Sequence, residues 1–438
     1  MENKKLNVFY QVDQLKSHIL TRVPTLYYSS QTSTVIPFEK IENHLNQNTV
    51  LGNLSQLKGE LSFDHDFNLN ISGFVTWKEA KEFCNLNNRE IMTSPTEELA
   101  SVLSGIATSC TGERSFSFKN LRSQILELTY LDYQANEIKL CSDKKITAKV
   151  DLKKYQELFS SYKDFKNAPF PRFETETDLM TGTEGQLGVI TSAKIKTVPK
   201  MLETYLFILL PKWENNFEPH LEIYNKVQDF KDDIFACEFI DSNSIAYLPV
   251  EKRIGENEDI IFLEINTKKF DEIYSELISK LKFTSESKVI EVSGSKCRDF
   301  RVSVPRAIFE ANLLMGVTKK GTDVQVSSEK FPKLLNFYKK LALMGIKYNL
   351  FGHFGDAHLH FNFMPDKSQE NKCHLLLLEL YQEVKVWQGS PFAEHGIGLI
   401  KKKFISEFYS EEQRKVFQLL KKEFDPYGQF FPEGFMSC

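Results

Sequence analysis

The most informative stretch of the chain reads Gly352-His-Phe-Gly-Asp-Ala-His-Leu-His360. Its Gly-Asp centre has the composition of a tight turn, and apolar residues flank that turn. After the turn, apolar residues alternate with His358, His360 and Asn362, and this period of two is typical of a β-strand with its polar side chains on one face. The stretch therefore predicts a hairpin, whose turn should bring His353 back close to His360.

Histidines are concentrated in this part of the chain, because five of the nine lie between His353 and His395. Even spacing would put about one there, so the cluster is a compositional signal. It runs into Ala393-Glu-His-Gly-Ile-Gly398. Two imidazoles and a carboxylate suit a divalent metal with open coordination positions, and a further histidine can serve as a base. A single histidine on a sheet edge more often only bonds backbone or water; the cluster and its two glycine-rich turns favour a functional site.

Two further segments have the composition of ligand-contacting loops. Met180-Thr-Gly-Thr-Glu-Gly-Gln-Leu-Gly-Val-Ile-Thr191 carries spaced glycines, which indicate a tight turn or a close backbone approach, but not at the spacing of a dinucleotide fingerprint or a P-loop. Taken alone, an ordinary loop before a strand explains it as well. Ser104-Gly-Ile-Ala-Thr-Ser-Cys-Thr-Gly-Glu-Arg114 can offer backbone N–H groups to a phosphate or a flavin edge, or can simply pack tightly.

Composition excludes several classes of protein. A length of 438 residues suffices for two or three domains, and a net charge of −4 argues against nucleic-acid binding. The seven cysteines are scattered, odd in number and without a Cys-x-x-Cys pair, so neither a disulfide framework nor a structural zinc site is expected. The first twelve residues lack an apolar signal core, and no apolar run reaches transmembrane length. We therefore expect a cytoplasmic protein, with a peripheral membrane contact left open.

Strand and helix patterns follow one another along the chain and predict the α+β class. The patterns predict strands at 25–28, 49–51, 69–75, 202–210, 235–239 and 260–265, helices at 38–45, 77–87, 218–231, 270–281, 368–387 and 410–423, and hairpins around 134–136 and over 346–364.

The glycine-rich and histidine-rich motifs follow one another along the chain in the same order as in the FAD-linked oxidases with the vanillyl-alcohol-oxidase type of fold, and they resemble the motifs of that family. The branch is that of D-lactate dehydrogenase, D-2-hydroxyglutarate dehydrogenase and the glycolate oxidase flavin subunit. Residues 182–191 are similar to Gly-Ser-Glu-Gly-Thr-Leu-Gly-Ile-Ile-Thr, and residues 352–360 to Gly-His-x-Gly-Asp-Gly-Asn-Leu-His. Residues 394–398 read Glu-His-Gly-Ile-Gly as in the family, and residues 425–428 match Asp-Pro-x-Gly. The resemblance covers about residues 25–438.

The resemblance implies a two-lobed FAD-binding domain and an α+β substrate or cap domain. The FAD domain is expected at 1–200, with lobes at about 1–57 and 58–200, and is completed by 400–438. The cap domain is expected at 201–399, and the site at the interface of the two domains, a usual place for pockets.

The resemblance also implies FAD as cofactor and one divalent metal, Zn²⁺ or Mn²⁺. His353, His360 and Glu394 would be the metal ligands, and His358, on the strand face of His360, can replace one of them. The residues implied to contact FAD are Thr32, Ser33, Gly105, Thr108, Ser109, Gly112, Gly185, Gly188, Val189 and Ile190.

Three further residues have implied roles at the substrate. His395 would be the base that takes the hydroxyl proton, and Arg301 would hold the substrate carboxylate. Asn362 would sit near the substrate. In an extended loop the side chains of Glu394 and His395 diverge, so that one faces the metal and the other the substrate.

The chain departs from the family pattern at several positions. Ser29-Ser-Gln-Thr-Ser33 stands in place of Gly-Gly-Gly-Thr-Ser, and Leu103-Ser104 aligns with a Gly-Gly pair. These two changes bear on FAD affinity. Ala357-His358 replaces Gly-Asn, and Phe431 replaces an asparagine; both lie near the expected flavin face and bear on the substrate class.

The sequence thus predicts an FAD-dependent oxidoreductase that dehydrogenates a small 2-hydroxy acid by hydride transfer to the flavin. The electron acceptor is left open, as is a homodimer. Two other functions also stay open. One is a metal-free flavin oxidase of a sugar or another alcohol, and the other is a non-catalytic protein on a decayed FAD-oxidase scaffold.

Overall fold

The computed structural model describes residues 5–255, 257–280 and 288–437, which fold into two compact units. Unit 1 comprises Met1–Thr111, Asn120–Lys200 and Glu394–Cys438. Unit 2 comprises Gly112–Lys119 and Met201–Ala393. Each unit combines sheets with helices, and this confirms the predicted α+β class.

Eighteen strands are present in the described ranges. In unit 1 they are β1 Leu6–Val8, β2 Thr25–Tyr28, β3 Val50–Asn53, β4 Glu60–Phe63, β5 Leu69–Ser72, β6 Arg89–Glu90, β7 Ile125–Leu131, β8 Glu137–Cys141, β9 Val189–Ile195 and β10 Val198–Pro199. In unit 2 they are β11 Glu203–Leu210, β12 Ile234–Ile240, β13 Asp259–Asn266, β14 Val289–Val292, β15 Lys320–Gly321, β16 Val324–Gln325, β17 Tyr348–His353 and β18 His358–Phe363.

The helices vary widely in length. They are α1 Val12–Leu20, α2 Trp77–Leu86, α3 Val102–Ala107, α4 Ser115–Phe118, α5 Lys153–Glu157, α6 Glu218–Gln228, α7 Ser242–Ile245, α8 Phe270–Lys280, α9 Gly294–Met315, α10 Phe331–Ala342, α11 Glu370–Val386, α12 Ile405–Phe408 and α13 Glu411–Phe424. Short 3₁₀ helices lie at Phe38–Asn43, Leu121–Gln124, Leu158–Tyr162, Glu176–Leu179, Val250–Lys252, Thr267–Lys269, Ser328–Lys330, Phe354–Asp356, Lys402–Phe404 and Phe435–Ser437.

Unit 1 is built on two main sheets. Strands β1, β3 and β2 form a parallel sheet, in which Leu26 pairs with Leu51 and both side chains are buried. Strands β4, β5, β9, β7 and β8 form an antiparallel sheet, with the predicted hairpin between β7 and β8. The loop after β2 and the glycine turn before β9 both lie at the edge of one cleft. The two sheets therefore position the loops that the sequence singles out as ligand-contacting.

Unit 2 is an eight-stranded sheet in the order β14-β11-β13-β12-β17-β18-β15, with β16 also paired to β18. Strands β12 and β13 are apolar and almost wholly buried, as expected for strands covered on both faces. The hairpin of β17 and β18 continues this sheet through the pairing of β12 with β17. The histidine-bearing hairpin is thus part of the main sheet and not an appendage.

The segment Gly112–Lys119 belongs to unit 2, although we expected residues 1–200 to form one domain. Aromatic packing explains the difference, because the ring of Phe118 lies 5.2 Å from that of Phe235 and Lys231 stacks on Phe116. Arg114 adds ion pairs to Glu203 and Glu264. The second difference is the return to unit 1 at Glu394, where we expected it at 400.

The long helix α9 was not predicted from the sequence. It contains Pro305, which removes one backbone donor and normally argues against a helix interior. Cys297, Phe300 and Val304 nevertheless recur at helical spacing and pack into the core of unit 2. Burial of this face outweighs the local cost of the proline, which is about 3 kcal/mol in an isolated helix.

Smaller differences have local causes. The helix expected at 38–45 is a 3₁₀ helix, because Lys40 leaves helical geometry at φ −128°. The helix expected at 270–281 is present as α8, and residue 281 lies outside the described residues. In the part of the chain that the structure describes, no helix has both the length and the hydropathy needed to cross a membrane.

Replacing Asp178 by alanine should destabilise unit 1 strongly. Its buried carboxylate takes two hydrogen bonds from Arg122, at 2.5 and 2.7 Å, and accepts the amides of Glu174 and Thr175. Removing one partner of a buried ion pair costs about 3–5 kcal/mol, because the other charge stays buried. Urea unfolding measures the loss, and Glu60→Ala, which breaks an exposed pair, should leave the urea midpoint unchanged. Equal midpoints for both variants would contradict this assignment.

Candidate functional site

Unit 1 contains an open cleft of about 1060 Å³. Its walls are the loop after β2, the start of α3, the glycine turn before β9, and Gly398 with Phe431 from the C-terminal segment. Small-molecule and cofactor sites are typically lined mainly by apolar side chains with a few polar groups, and this cleft has such a lining. Of the residues implied to contact FAD, those that line the cleft are Thr32, Ser33, Thr108, Gly185, Gly188, Val189 and Ile190.

Three of the implied FAD contacts lie elsewhere in the described structure and do not line the cleft. Gly105 packs under Trp77, where an added Cβ atom would lie 3.1 Å from the indole. The Ser109 hydroxyl donates to Asn167 Oδ1 at 2.8 Å. The amide of Gly112, a unit 2 residue, donates to Ser115 Oγ. Small-residue composition therefore overestimated the number of cofactor contacts in this run.

Glu184 is a residue of the cleft that the sequence analysis did not single out. Its carboxylate accepts the amide of Ile397 at 2.6 Å and that of Gly398 at 3.0 and 3.1 Å. Burial raises the pKa of Glu184 to about 7, although these amide bonds and the charge of Lys401 oppose the shift. The sequence signal that could have identified Glu184 is its position between the glycines of the turn, where a carboxylate can accept backbone amides.

Glu394 and His395 open the C-terminal part of unit 1. Thr111 Oγ1 donates to Glu394 Oε2 at 2.8 Å, and His395 Nε2 lies 3.4 Å from Glu394 Oε1. The expected divergence of these two side chains is therefore wrong. The chain bends at residues 393–395 and is not extended, and Gly396 and Gly398 continue the turn with φ of 79° and 51°. The glycines produce the sharp turn that we expected, and in the bend before them the histidine and the carboxylate lie close together.

The hairpin of unit 2 has the predicted geometry. His353 pairs with His358 across the hairpin, and the ring of His353 lies 5.2 Å from that of His358 and 6.0 Å from that of His360. Each of the three offers a ring nitrogen, and these nitrogens all lie within 4.8 Å of one another. The prediction that the turn returns His353 to the strand of His360 is confirmed. His358 joins this cluster on equal terms with the other two.

Oxygen atoms of unit 2 orient all three rings. The ring-to-oxygen pairs are His353 Nδ1 to Glu238 Oε1 at 2.8 Å, His358 Nε2 to Asp323 Oδ1 at 3.1 Å, and His360 Nδ1 to the carbonyl of Thr322 at 3.1 Å. In metal sites, a ligating histidine usually donates its second ring N–H to such an acceptor, which fixes the ring and raises its basicity. The arrangement suits a divalent cation, and the rings are held before any ion binds.

The packing of the histidine cluster requires glycine at position 352. Its φ is 140°, and an added Cβ atom would lie 3.1 Å from the His360 ring and 3.0 Å from the carbonyl of His358. A side chain at this position would therefore displace the cluster. His374, which also belongs to the histidine-rich stretch, is exposed on α11 and lies outside the cluster.

The two other implied substrate residues lie in unit 2. Arg301 is on α9, stacks on Phe262 and forms an ion pair with Glu113. Asn362 follows His360 on the same face of β18, is buried, and donates to Asn349 Oδ1 at 2.8 Å. Both residues therefore have protein partners in the structure.

Comparison with known proteins agrees with the motifs. The family model for FAD linked oxidases, C-terminal domain, matches residues 216–433. The mitochondrial D-lactate dehydrogenase (cytochrome) of Kluyveromyces lactis is 22% identical over 382 residues, which are 82% of this chain and 60% of that protein. The mitochondrial D-2-hydroxyglutarate dehydrogenase of Arabidopsis thaliana is 25% identical over 267 residues, 58% of this chain and 47% of that protein. The matches span about half to three-fifths of the length of these relatives.

Solved structures show the same fold. An alkyldihydroxyacetonephosphate synthase superposes with a TM-score of 0.69 at 13% identity, covering 98% of this chain and 76% of that one. At this identity the likeness establishes the fold alone. It confirms the FAD-linked oxidase fold that the motifs led us to expect.

Replacing Glu184 by glutamine should remove part of the pH dependence of stability. Since the pKa is about 7 in the folded chain against 4.5 for the free group, the folded state retains a proton between these values. The contribution of Glu184 to the free energy of unfolding is therefore full below about pH 4.5 and is lost as the pH rises through 7. The stability of the variant relative to wild type should rise by roughly 1–3 kcal/mol from about pH 5 to about pH 8, at about 1.36 kcal/mol per pKa unit.

Urea unfolding of both proteins at the two pH values measures this difference. Asp241, whose pKa burial raises to about 8, is present in both proteins, so its contribution cancels. Parallel pH profiles for variant and wild type would show that Glu184 is not held neutral.

Proposed function

Because this chain belongs to the FAD-linked oxidase family, we propose that it is an FAD-dependent enzyme that dehydrogenates a small 2-hydroxy acid. The observation that carries the proposal is the cluster of three oriented histidines in unit 2, in a chain whose unit 1 holds an open cleft lined by apolar side chains and hydroxyl groups. Relatives named for D-lactate and D-2-hydroxyglutarate support this substrate class. The three imidazoles held together in a buried sheet favour this activity over a metal-free oxidase of a sugar or another alcohol.

FAD suits the cleft of unit 1, and when bound it would supply the hydride acceptor. The turn at Gly185 and Gly188 would lie along it, and Thr32 and Ser33 would face its polar part. Ser30, in the same wall, has a buried hydroxyl without a protein partner, which indicates that the loop is built for a polar ligand. Glu184 holds the far wall in place through the amides of Ile397 and Gly398.

In this proposal His353, His360 and Glu394 hold a divalent cation, with His358 beside them. Chain connectivity supports the inclusion of Glu394. The amide of Ala393 donates to the carbonyl of Asp323 at 3.1 Å, and Asp323 also orients His358. Glu394 follows Ala393 directly, so it lies one residue along the chain from the contact with Asp323, the partner of His358. A cation at this place would lower the pKa of a substrate hydroxyl and orient it.

His395 is the proposed base, and it removes the proton of the substrate hydroxyl as hydride leaves the adjacent carbon. Glu394 Oε1, at 3.4 Å, is placed to orient the His395 ring. Arg301 is proposed to hold the substrate carboxylate. Its guanidinium is the group that best binds carboxylates, and in the structure it pairs with that of Glu113. Asn362, on the strand face of His360, completes the proposed substrate residues.

An anaerobic screen tests the activity. D-2-hydroxy acids should bleach the flavin of the purified protein, and their L-isomers should do so more slowly. His395→Asn should keep the FAD content and slow flavin reduction at least ~10²-fold, because general-base catalysis contributes 10²–10⁴-fold. A protein that binds FAD but is reduced by none of these acids would contradict the substrate class. Reduction within a few-fold of wild type in His395→Asn would exclude the base role.

The metal site has its own test. Elemental analysis of the dialysed protein should show about one divalent metal per chain, and His360→Ala should lose it because two strong nitrogen ligands are the minimum of the proposed set. His374→Ala is the matched control, since it removes an exposed histidine outside the cluster and should retain the metal. Full activity in chelator, or equal metal content in the two variants, would rule the metal out.

A further inference from the structure

Two serines that replace family glycines meet each other in the cleft of unit 1. Ser29 Oγ lies 2.7 Å from Ser104 Oγ, although 75 positions separate them in the sequence. Both residues line the cleft. Ser29 stands in the first glycine-rich loop of the family pattern, and Ser104 stands in the Gly-Gly pair of the second. The two departures therefore form one contact.

The backbone of these loops does not require glycine at the serine positions. In the loop at residues 29–33, the left-handed region is adopted only by Gln31, at φ 57°. Ser104 lies inside α3, where φ is helical. The serines are therefore unstrained, and what they add to glycine here is a short side chain that ends in a hydroxyl group.

The hydroxyl pair leaves a donor available. When one hydroxyl donates to another, the accepting group keeps its own O–H, so the pair of Ser29 and Ser104 presents one donor whichever way it is oriented. Ser30 adds a second O–H, which has no protein partner. The hydroxyl of Thr108, by contrast, donates to the carbonyls of Ser104 and Gly105, at 3.1 and 3.3 Å.

The charge of the cleft makes these donors important. Among the described residues that line it, none is a lysine, arginine or histidine, and Glu184 is the one ionisable acid. A diphosphate bound here has to be stabilised by hydroxyl and amide dipoles. Hydrogen bonds to an anion are roughly twice as strong as those between neutral groups, so each O–H contributes appreciably.

We propose that Ser29, Ser30 and Ser104 form a hydroxyl cradle for the diphosphate of FAD, which replaces with side-chain donors what glycine-rich loops supply by close backbone approach. The pair of Ser29 and Ser104 also ties the two loops together before the cofactor binds, which lowers the ordering cost of binding. This inference rests on the proposed function, because it takes FAD as the ligand of the cleft.

Flavin titration of the apoprotein tests the cradle. The double variant Ser29→Ala, Ser104→Ala should raise the Kd of FAD at least about tenfold, since a hydrogen bond to a charged group is worth a factor of that size or more. The Kd of riboflavin, which has no phosphate, should change less than about twofold. Ser62→Ala, on the exposed strand β4, is the matched control and should leave both constants unchanged. Circular dichroism and urea unfolding establish that each variant is folded.

The glycine variants decide between side chain and backbone. Ser29→Gly with Ser104→Gly restores glycine at two positions of the family pattern, and the cradle predicts that FAD binds about tenfold more weakly, as in the alanine variant. FAD binding equal to or tighter than wild type in the glycine variant would overturn the cradle, and so would equal losses for FAD and riboflavin. Wild-type protein that binds neither flavin would instead refute the proposed function, so the two failures are distinguishable.

Discussion

The carboxylate of Glu184 joins two segments of unit 1 that lie 213 positions apart in the sequence. On one side is the glycine turn that forms a wall of the cleft. On the other is the segment at which the chain re-enters unit 1, with Glu394 and His395 at its start. A neutral or ionised carboxyl can accept the amides of Ile397 and Gly398, but only burial explains a pKa near 7. The shape of the cleft and the course of the segment after His395 depend on this one group, which makes it the central constraint of the unit.

Unit 2 also buries polar side chains, the imidazoles of three histidines, that need hydrogen-bond partners. Burying a polar ring is unfavourable unless it is hydrogen-bonded, and each ring has an oxygen partner. These partners lie on other strands or loops of the same unit, so folding of the sheet fixes the rings without help from an ion. The ring nitrogens are therefore held close together before a cation binds. Cation binding would not have to offset the conformational entropy lost on ordering the three side chains.

The sequence predicts the elements whose signal is local. The strands at Ile234–Ile240 and Asp259–Asn266 are mostly apolar, and the hairpin of β17 and β18 has both alternation and a turn. The helix α9 was missed because Pro305 contradicts the periodicity of its buried face. Family motifs supplied the roles of His353 and His360, which periodicity alone cannot assign.

Features that depend on residues far apart in the chain could not be predicted from sequence patterns. The segment Gly112–Lys119 belongs to unit 2 because its aromatic rings find partners there, and no local pattern announces them. The convergence of Glu394 and His395 depends on a bend of the chain at these residues, which composition does not reveal. Gly105 has the right composition for a ligand loop, but it is used for packing under Trp77.

The loss of the loop glycines has two physical interpretations, and the structure bears on the choice. Decay of a cofactor site removes selection on each position separately, so replacements should be unrelated. Ser29, in the loop after β2, and Ser104, in α3, instead satisfy each other at 2.7 Å. The turn at 182–188 and the Glu184 contacts beside them are intact. Coupled replacement in an otherwise complete wall favours a binding loop that has been rebuilt with side-chain hydroxyls over a scaffold that has lost its ligand.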